Sequence, residues 1–195
     1  MNIIKRTLGR IQKSFGNTGD KYSLYKSLDS VNFGRTSQTD FLNYNEISMY
    51  VNRAIEIRAE KVGCVEFGLK KGDKSVDNDK ILDLINRPNA FHTGKQFWKL
   101  YQKYMDLTGN AFIFVEKPNE LFASKTVPTA LHLLRPDLVK IIFNKEGTEI
   151  LGYEYNYDGK TTRYKADQIL YSFNPDPKSP LQGMSLLRAG IRAIS

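Results

Sequence analysis

TGKQFWKLYQKYMDLTGNAFIFVE, residues 93–116, holds a helix start, a helix stop and a strand in one run. Thr93 and Gln96 make a Thr-x-x-Gln capping box, in which a hydroxyl and an amide each satisfy a free backbone N–H of the first turn. Phe97, Leu100, Tyr101, Tyr104 and Met105 then return at helical spacing on one face. Gly109 suits the position just past the helix, where the backbone turns to positive φ and a Cβ is costly. Ala111 to Glu116 follows with the composition of a strand. With helices before this run and strands after it, the chain is predicted to be α+β.

Toward the N-terminus the body is expected to begin near Asn43. Ile47, Val51, Ala54, Ile55, Arg58, Ala59 and Val62 trace a helical face, with Asn45 or Asn43 as its cap and Gly63 as its stop. Residues 64–70 alternate, Val65, Phe67 and Leu69 against Glu66, Gly68 and Lys70, which predicts a half-buried strand with Cys64 as a small buried residue, then a polar turn. A short helix over residues 78–86 is expected to bury Ile81, Leu82, Leu84 and Ile85. It must stop before Pro88, because the residue ahead of a proline is pushed out of the α region.

Toward the C-terminus, residues 117–128 read as a loop, with a short excursion at Leu121 and Phe122. Short β-rich runs then follow at 129–135, 139–143, 150–157, 161–164 and 169–173, separated by turn signals at Pro136-Asp137, Glu146-Gly147 and Asp158-Gly159. The Asp-Gly pair predicts a tight antiparallel hairpin. A loop with Pro175, Pro177 and Pro180 leads to Gly183 and Ser185, where a further helix is expected to open and in which the chain ends.

Ahead of the body, residues 1–42 read as a basic amphipathic arm and linker. Ile4, Leu8, Ile11 and Phe15 form one apolar helical stripe between Lys5, Arg6, Arg10 and Lys13. Such a helix packs on its own domain or a neighbouring subunit, or seeks a surface or a nucleic acid; a transit peptide is compatible too, although arginine is sparse. Gly16 to about Asp40 is rich in Ser, Thr, Gly, Asn and Asp and has no sustained period, as in a linker. Residues 1–28 carry Lys5, Arg6, Arg10, Lys13, Lys21 and Lys26 against Asp20 alone, a surplus of +5 within a formal net charge of +8. A basic arm on a nearly balanced body points to nucleic acid, an acidic protein or an anionic surface.

Composition narrows the class further. Hydrophobic residues are 41% and charged residues 26% of 195, ordinary globular usage. No apolar run approaches the roughly 18–20 residues of a membrane span, and the mean hydropathy is −0.45. The single cysteine, Cys64, forms no internal disulfide and no thiolate zinc cluster, which suits a reducing compartment and a cytosolic product. Only His92 and His132 could serve in acid–base work. Gly183-Met184-Ser185-Leu186-Leu187 begins like a hydrolase elbow but lacks the second glycine. No glycine-rich phosphate cradle appears, and Asp73, Asp77, Asp79 and Asp83 miss the glycine and glutamate of a calcium loop. Neither an enzyme nor a cofactor or metal is expected, and the tyrosines and phenylalanines fall mainly at core-facing positions.

Residues 43–195 resemble, in the order of their motifs, the N-terminal part of the portal proteins of long-tailed, lambdoid-type bacteriophages. The helix Val51 to Ala59 followed by a strand is similar to the family's opening, and Leu84-Ile85-Asn86-Arg87-Pro88-Asn89 resembles its leucine-leucine, then Pro-Asn signature. Leu107-Thr108-Gly109-Asn110-Ala111-Phe112 looks like its Gly-Asn-Ala-aromatic turn, and Leu134-Arg135-Pro136 like its Leu-x-Pro strand end. Ala166-Asp167-Gln168-Ile169-Leu170-Tyr171 resembles its acidic strand, and Gly183-Met184-Ser185-Leu186-Leu187 its last helix start. Physically these residues are punctuation: Gly109 for a positive φ, Asn110 for local backbone groups, Pro88 and Pro136 to end elements, Gly183 and Ser185 to open a helix.

The resemblance implies a wing-type domain of a structural subunit of the portal, the head–tail connector at one capsid vertex. Family members form a head-to-tail ring of about twelve copies. The implied partners are other copies, capsid and scaffold proteins, the terminase motor, a head–tail adaptor and double-stranded DNA passing through, with no membrane. The implied location is the virion, and the bacterial host cytoplasm during assembly. Family members continue into a stem, clip and crown, so residues 43–195 are expected to be the wing-like N-terminal portion, truncated before those parts. The alternative is a basic-arm nucleic-acid-binding module that forms no ring.

Overall fold

A computed structural model of the chain describes residues 38–76, 79–118 and 127–189. The basic arm with Lys5, Arg6, Arg10 and Lys13, the linker up to residue 37, the Leu121–Phe122 excursion and residues 190–195 lie outside the described residues. The described chain runs α1 (Gln38–Ile47), α2 (Met49–Gly63), β1 (Leu69–Lys71), β2 (Lys74–Val76), α3 (Lys80–Asn86), α4 (Gly94–Thr108), β3 (Asn110–Glu116) and β4 (Ala130–Leu134). It continues through β5 (Val139–Phe143), β6 (Ile150–Tyr157), β7 (Lys160–Lys165), β8 (Ile169–Phe173), β9 (Pro175–Asp176) and β10 (Ser179–Gly183). Single 3₁₀ turns stand at Pro136–Leu138, Ala166–Gln168 and Leu186–Ala189. This is a mixed α+β fold, as expected, and every strand pair is antiparallel among the described residues.

The two larger sheets have orders β4–β3–β8 and β5–β6–β7. Strand β3 lies at the centre of the first, and its alternation sets the layers. Ile113 and Val115 face the helices, where they pack with Phe97 and Leu131 against Trp98 and Tyr101. Phe112 faces the other way, into a second cluster with Leu134, Tyr153 and Ile169 that joins the two sheets. A strand with period-two side chains and cover on both faces becomes apolar throughout, which is why β3 reads Ala-Phe-Ile-Phe-Val. The result is a helical layer, a sheet and a second sheet. A third apolar cluster, Val51, Ile55 and Leu107 with Leu42 and Leu187, ties α1 and α2 to the end of α4.

Aromatic rings fill the space between the sheets. Phe112 stacks on its cross-strand partner Tyr171 with centroids 4.7 Å apart and meets Tyr153 edge-on at 5.8 Å. The 3₁₀ turns at Pro136–Leu138 and Ala166–Gln168 carry the chain out to the second sheet and back. The predicted hairpin is present: Asp158 and Gly159 both adopt positive φ, 51° and 73°, between paired strands β6 and β7. Both φ values match the primed turn that fits strand twist.

The structure departs from expectation at several places. Helix α2 is capped by the Ser48 hydroxyl, which accepts from Val51 N, rather than by Asn43 or Asn45; those two residues belong to α1, which starts at Gln38. Residues 64–68 are no strand. Cys64 is the exposed C-cap of α2, its N–H donating to Glu60 O, and Val65 N donates to Val62 O, so the helix end consumes the first backbone groups that a strand would need. Strand pairing begins only at Leu69, where Gly72 at φ 63° turns β1 onto β2. Helix α3 starts at Lys80 with Asp79 as cap and buries none of its residues fully; Ile81 is exposed, because one short helix meets α4 only with Leu84 and Ile85 on its inner side. The proline-rich loop contains the short hairpin of β9 and β10. Beyond Ser185 the described chain makes a 3₁₀ turn rather than the start of an α-helix.

Candidate functional site

Four of the eight singled-out motif residues, Gly109, Asn110, Gly183 and Ser185, converge on a backbone crossing where the end of α4 meets β10. Thr93 and Gln96 form the full capping box at the other end of α4, and Gly109 closes it at φ 73°, its N–H donating to Met105 O at 3.0 Å. The turn brings Gly109 against the backbone of Met184, and Gly183 against the Gly109 carbonyl oxygen. A Cβ on Gly109 would stand 2.6 Å from Met184 N and closer still to its carbonyl group. A Cβ on Gly183 would lie 2.5 Å from Asn110 Oδ1 and would overlap Gly109 O. Gly183 therefore has to be glycine for space alone, whereas Gly109 is required both for space and for φ.

Asn110 locks this crossing and is itself buried. Its Oδ1 accepts from Gly183 N at 3.0 Å and from the Tyr171 hydroxyl at 2.7 Å, while its Nδ2 donates to Thr108 O at 2.9 Å. Burial pushes the Tyr171 phenol well above its ordinary range, so it stays protonated and donating. Asn174 completes the lock: its N–H donates to Gly109 O at 2.8 Å, its carbonyl accepts from Met184 N at 2.8 Å, and its Nδ2 donates to Met184 O at 3.0 Å. The buried Ser185 hydroxyl accepts from Leu187 N at 3.0 Å and starts the final turn.

Two further sets of singled-out residues stand apart from the crossing. Pro88 and Asn89 seal the outer edge of β4: Leu131 N donates to Pro88 O at 2.7 Å and Asn89 Nδ2 donates to Leu131 O at 2.8 Å, which imitates a strand pair on an otherwise open edge. Asn89 Oδ1 also accepts from the N–H groups of Phe91 and His92, both at 2.9 Å. Pro136 is fully buried at the corner between the sheets, where Arg135 forks onto the Asp137 carboxylate at 3.2 and 2.8 Å.

On the outer side of the helical layer, α2 and α4 are laced by charge. Lys95 holds Glu60 at 2.7 Å, Lys99 reaches both Glu60 at 2.8 Å and Glu56, and Lys103 holds Glu56 at 2.5 Å. Hydrogen bonds from Lys95 and then Lys99 hold the Glu60 carboxyl down to about 2. Asp106 is the opposite case. It is 3% exposed, and burial pushes its carboxyl above the ordinary range although Arg58 and Gln102 pull it down. Its Oδ2 has no hydrogen-bond partner among the described residues. Among the described residues no three His, Cys, Asp or Glu side chains gather in a metal-binding group.

The family model described as "Phage portal protein" matches residues 49–195, about three quarters of the chain. The chain belongs to that family. Solved structures with a similar fold include three from gene transfer agent particles. The neck of an empty gene transfer agent particle computed with C6 symmetry superposes with a TM-score of 0.69 at 21% identity, covering 84% of this chain and 43% of its own. The virion of a native gene transfer agent particle gives 0.68 at 22% identity, with 84% and 42% covered. The neck of a native particle computed with C12 symmetry gives 0.66 at 22%, with the same coverage. The chain thus spans about two fifths of the length of each matching structure. No curated protein matches.

Within this portal-family fold the structure unites Gly109, Asn110, Gly183 and Ser185, and leaves Pro88, Asn89, Arg135 and Pro136 as separate fasteners. Two residues of the crossing escaped the sequence reading. Asn174 had a local signal, since Asn-Pro marks a turn, but Tyr171 sat in a strand where packing alone explained it.

Gly183→Ala is expected to cost about 3 kcal/mol or more in a urea melt, because backbone rather than a flexible side chain must move. Gly147→Ala, at φ 70° in open space, is expected to cost only about 1 kcal/mol. Equal losses at both sites would remove the crossing as a constraint. Acid titration tests the charge lacing. A carboxyl whose folded value is lowered from 4.5 to about 2 contributes stability that is full above 4.5 and is lost as pH falls toward 2. Lys99→Met is expected to flatten that part of the stability profile at low ionic strength, and about 1 M salt should do the same to the wild type. A profile unmoved by either change would show that the pairs contribute nothing.

Proposed function

We propose that this portal-family chain is a structural subunit of a portal ring, part of the head–tail connector at one vertex of a virion, through which double-stranded DNA is packaged and ejected. The observation that carries this reading is the family match over residues 49–195, on a fold whose recognisable residues are all fasteners. Two of the similar structures are particle necks computed with sixfold and twelvefold symmetry, which supports a multi-copy ring. Identical subunits close into such a ring through a head-to-tail contact between unlike faces. In this reading capsid and scaffold proteins surround the ring, a terminase motor and a head–tail adaptor dock on it, and assembly takes place in the host cytoplasm. Residues 43–195 then act as the wing-type domain together with the Gln38–Leu42 part of α1, whose Leu42 packs in the domain's core, and the residues ahead of α1 act as an arm toward DNA or capsid protein through Lys5, Arg6, Arg10 and Lys13.

Native mass spectrometry of the protein from its natural source tests the ring. The expected spectrum shows an assembly of about twelve copies. A subunit that remains single at every concentration would overturn the reading.

A second reading is favoured by the +5 surplus in residues 1–28, which suits contact with phosphates. If Lys5, Arg6, Arg10 and Lys13 each neutralise one phosphate of arbitrary duplex DNA, log K should fall against log salt with a slope contribution of about −4 that vanishes on deleting residues 1–28. Unchanged DNA affinity after the deletion would leave the arm to a protein partner.

A further inference from the structure

We propose that copies of this chain join head to tail through the two ends of the α2–α4 helix pair: Met49, Tyr50 and Arg53 at the start of α2 seat in the cleft formed by Val65, Glu66, Phe67 and Trp98 of the next copy. The proposal rests on the ring reading above and names the faces that would close it.

Both ends hold large apolar side chains that the subunit itself leaves uncovered. Tyr50 is 82% and Met49 73% exposed on the first turn of α2. At the other end, Val65 is 54% and Phe67 40% exposed in the segment that follows α2. The lacing fixes the two helices antiparallel, since Glu60 meets Lys95 while Glu56 meets Lys103. Fifteen helical residues separate the ends by about 21 Å, so Tyr50 has no access to the cleft of its own chain. One copy therefore presents a projecting end led by Met49 and Tyr50 and a receiving cleft in which Val65, Phe67 and Trp98 stand among polar groups. That is the pair of unlike faces a heterologous contact requires.

The receiving end is built as a socket. The cleft is about 510 Å³ and also takes in Cys64 and Lys95. Trp98 is held in place from two sides: its Nε1 donates to Ile85 O at 3.2 Å and its ring lies 5.4 Å from that of Phe67. A positioned tryptophan beside an exposed phenylalanine is the kind of surface onto which a tyrosine docks, apolar in body and able to keep its hydroxyl wet.

Charge favours the same match. Arg53 and Glu66 have no ion-pair partner among the described residues, whereas the other cation of the cleft, Lys95, is already held by Glu60 at 2.7 Å. Seating Tyr50 brings the guanidinium of Arg53 to a cleft that offers one free carboxylate. Other exposed apolar residues, among them Ile57, Ile81, Phe91, Leu151 and Leu170, are spread over α2, α3, the loop before α4 and the sheets.

The test uses the full chain and its single cysteine, which lines the cleft. Tyr50→Cys places a second thiol at the projecting end. Diamide then takes up two electrons and two protons from the introduced thiol of one copy and the Cys64 thiol of the next, leaving an intersubunit disulfide between them. Because each chain carries one thiol of each kind, the expected result on a non-reducing gel is a ladder of dimer, trimer and higher species, absent from Tyr50→Cys/Cys64→Ser and from Leu151→Cys. Arg53→Glu and Glu66→Arg are each expected to weaken assembly about tenfold or more by native mass spectrometry, and the two together to restore it. A ladder from Leu151→Cys as strong as that from Tyr50→Cys, or charge reversals that leave wild-type assembly untouched, would overturn these faces and leave the ring standing. A wild-type chain that stays single, together with a Tyr50→Cys variant that gives no ladder, would overturn both.

Discussion

The passage of Gly183 across Gly109 is the constraint on which the rest of the fold depends. Two backbones approach there so closely that neither position has room for a Cβ, and the buried amide of Asn110 accepts and donates across the gap. The contact joins the last turn of α4, the first residue of β3 and the end of β10 at one point. It closes a loop of more than seventy residues that contains the whole second sheet. Once it forms, β3 must leave the helix in one direction, β8 must pair beside it, and the chain after β10 must run back under α4.

From that point the pleat of β3 does the sorting. Odd-numbered residues, Ile113 and Val115, go to the helices; Phe112 goes to the second sheet. Burying an aromatic ring of this size stabilises by about 1.5–3 kcal/mol, and several rings share the inter-sheet space. The charge lacing between α2 and α4 is more numerous in contacts but lies at the surface, where solvent screening leaves ion pairs little net effect. The sheets are held by apolar burial; the lacing mainly sets which way α2 lies on α4. Asp106 works against stability, an incompletely satisfied carboxyl beneath the same helix pair.

Most of the residues singled out for the resemblance are therefore internal, Arg135 being an exposed exception. Pro88 and Asn89 seal a sheet edge, Pro136 turns a corner, and Gly109, Asn110 and Gly183 make the crossing. None of them faces a partner as a chemical group would face a substrate. In a structural subunit this is the expected division: the motif keeps the shape, and the exposed side chains on that shape decide what it touches. Tyr50 and Phe67, which belong to no motif, are among the apolar side chains left exposed.

Local chemistry was enough for a large part of this structure. A capping box, a C-terminal glycine, an Asp-Gly turn and period-two runs are settled within a few residues of backbone, so α4 and the limits of β5, β6 and β8 were legible in advance, as was the importance of Gly109 and Asn110. Partners distant in the chain decided the rest. Residues 64–68 alternate like a strand but find no strand to pair with, so Val65 and Cys64 stay exposed and Phe67 is covered only on the side of Trp98. Gly183 looked like the opening of a helix, yet its reason lies in the carbonyl of Gly109. Tyr171 looked like packing, yet its hydroxyl completes the Asn110 lock. Alternation and composition state which side chains a residue can offer; burial, pairing and close approach depend on what the fold brings against it.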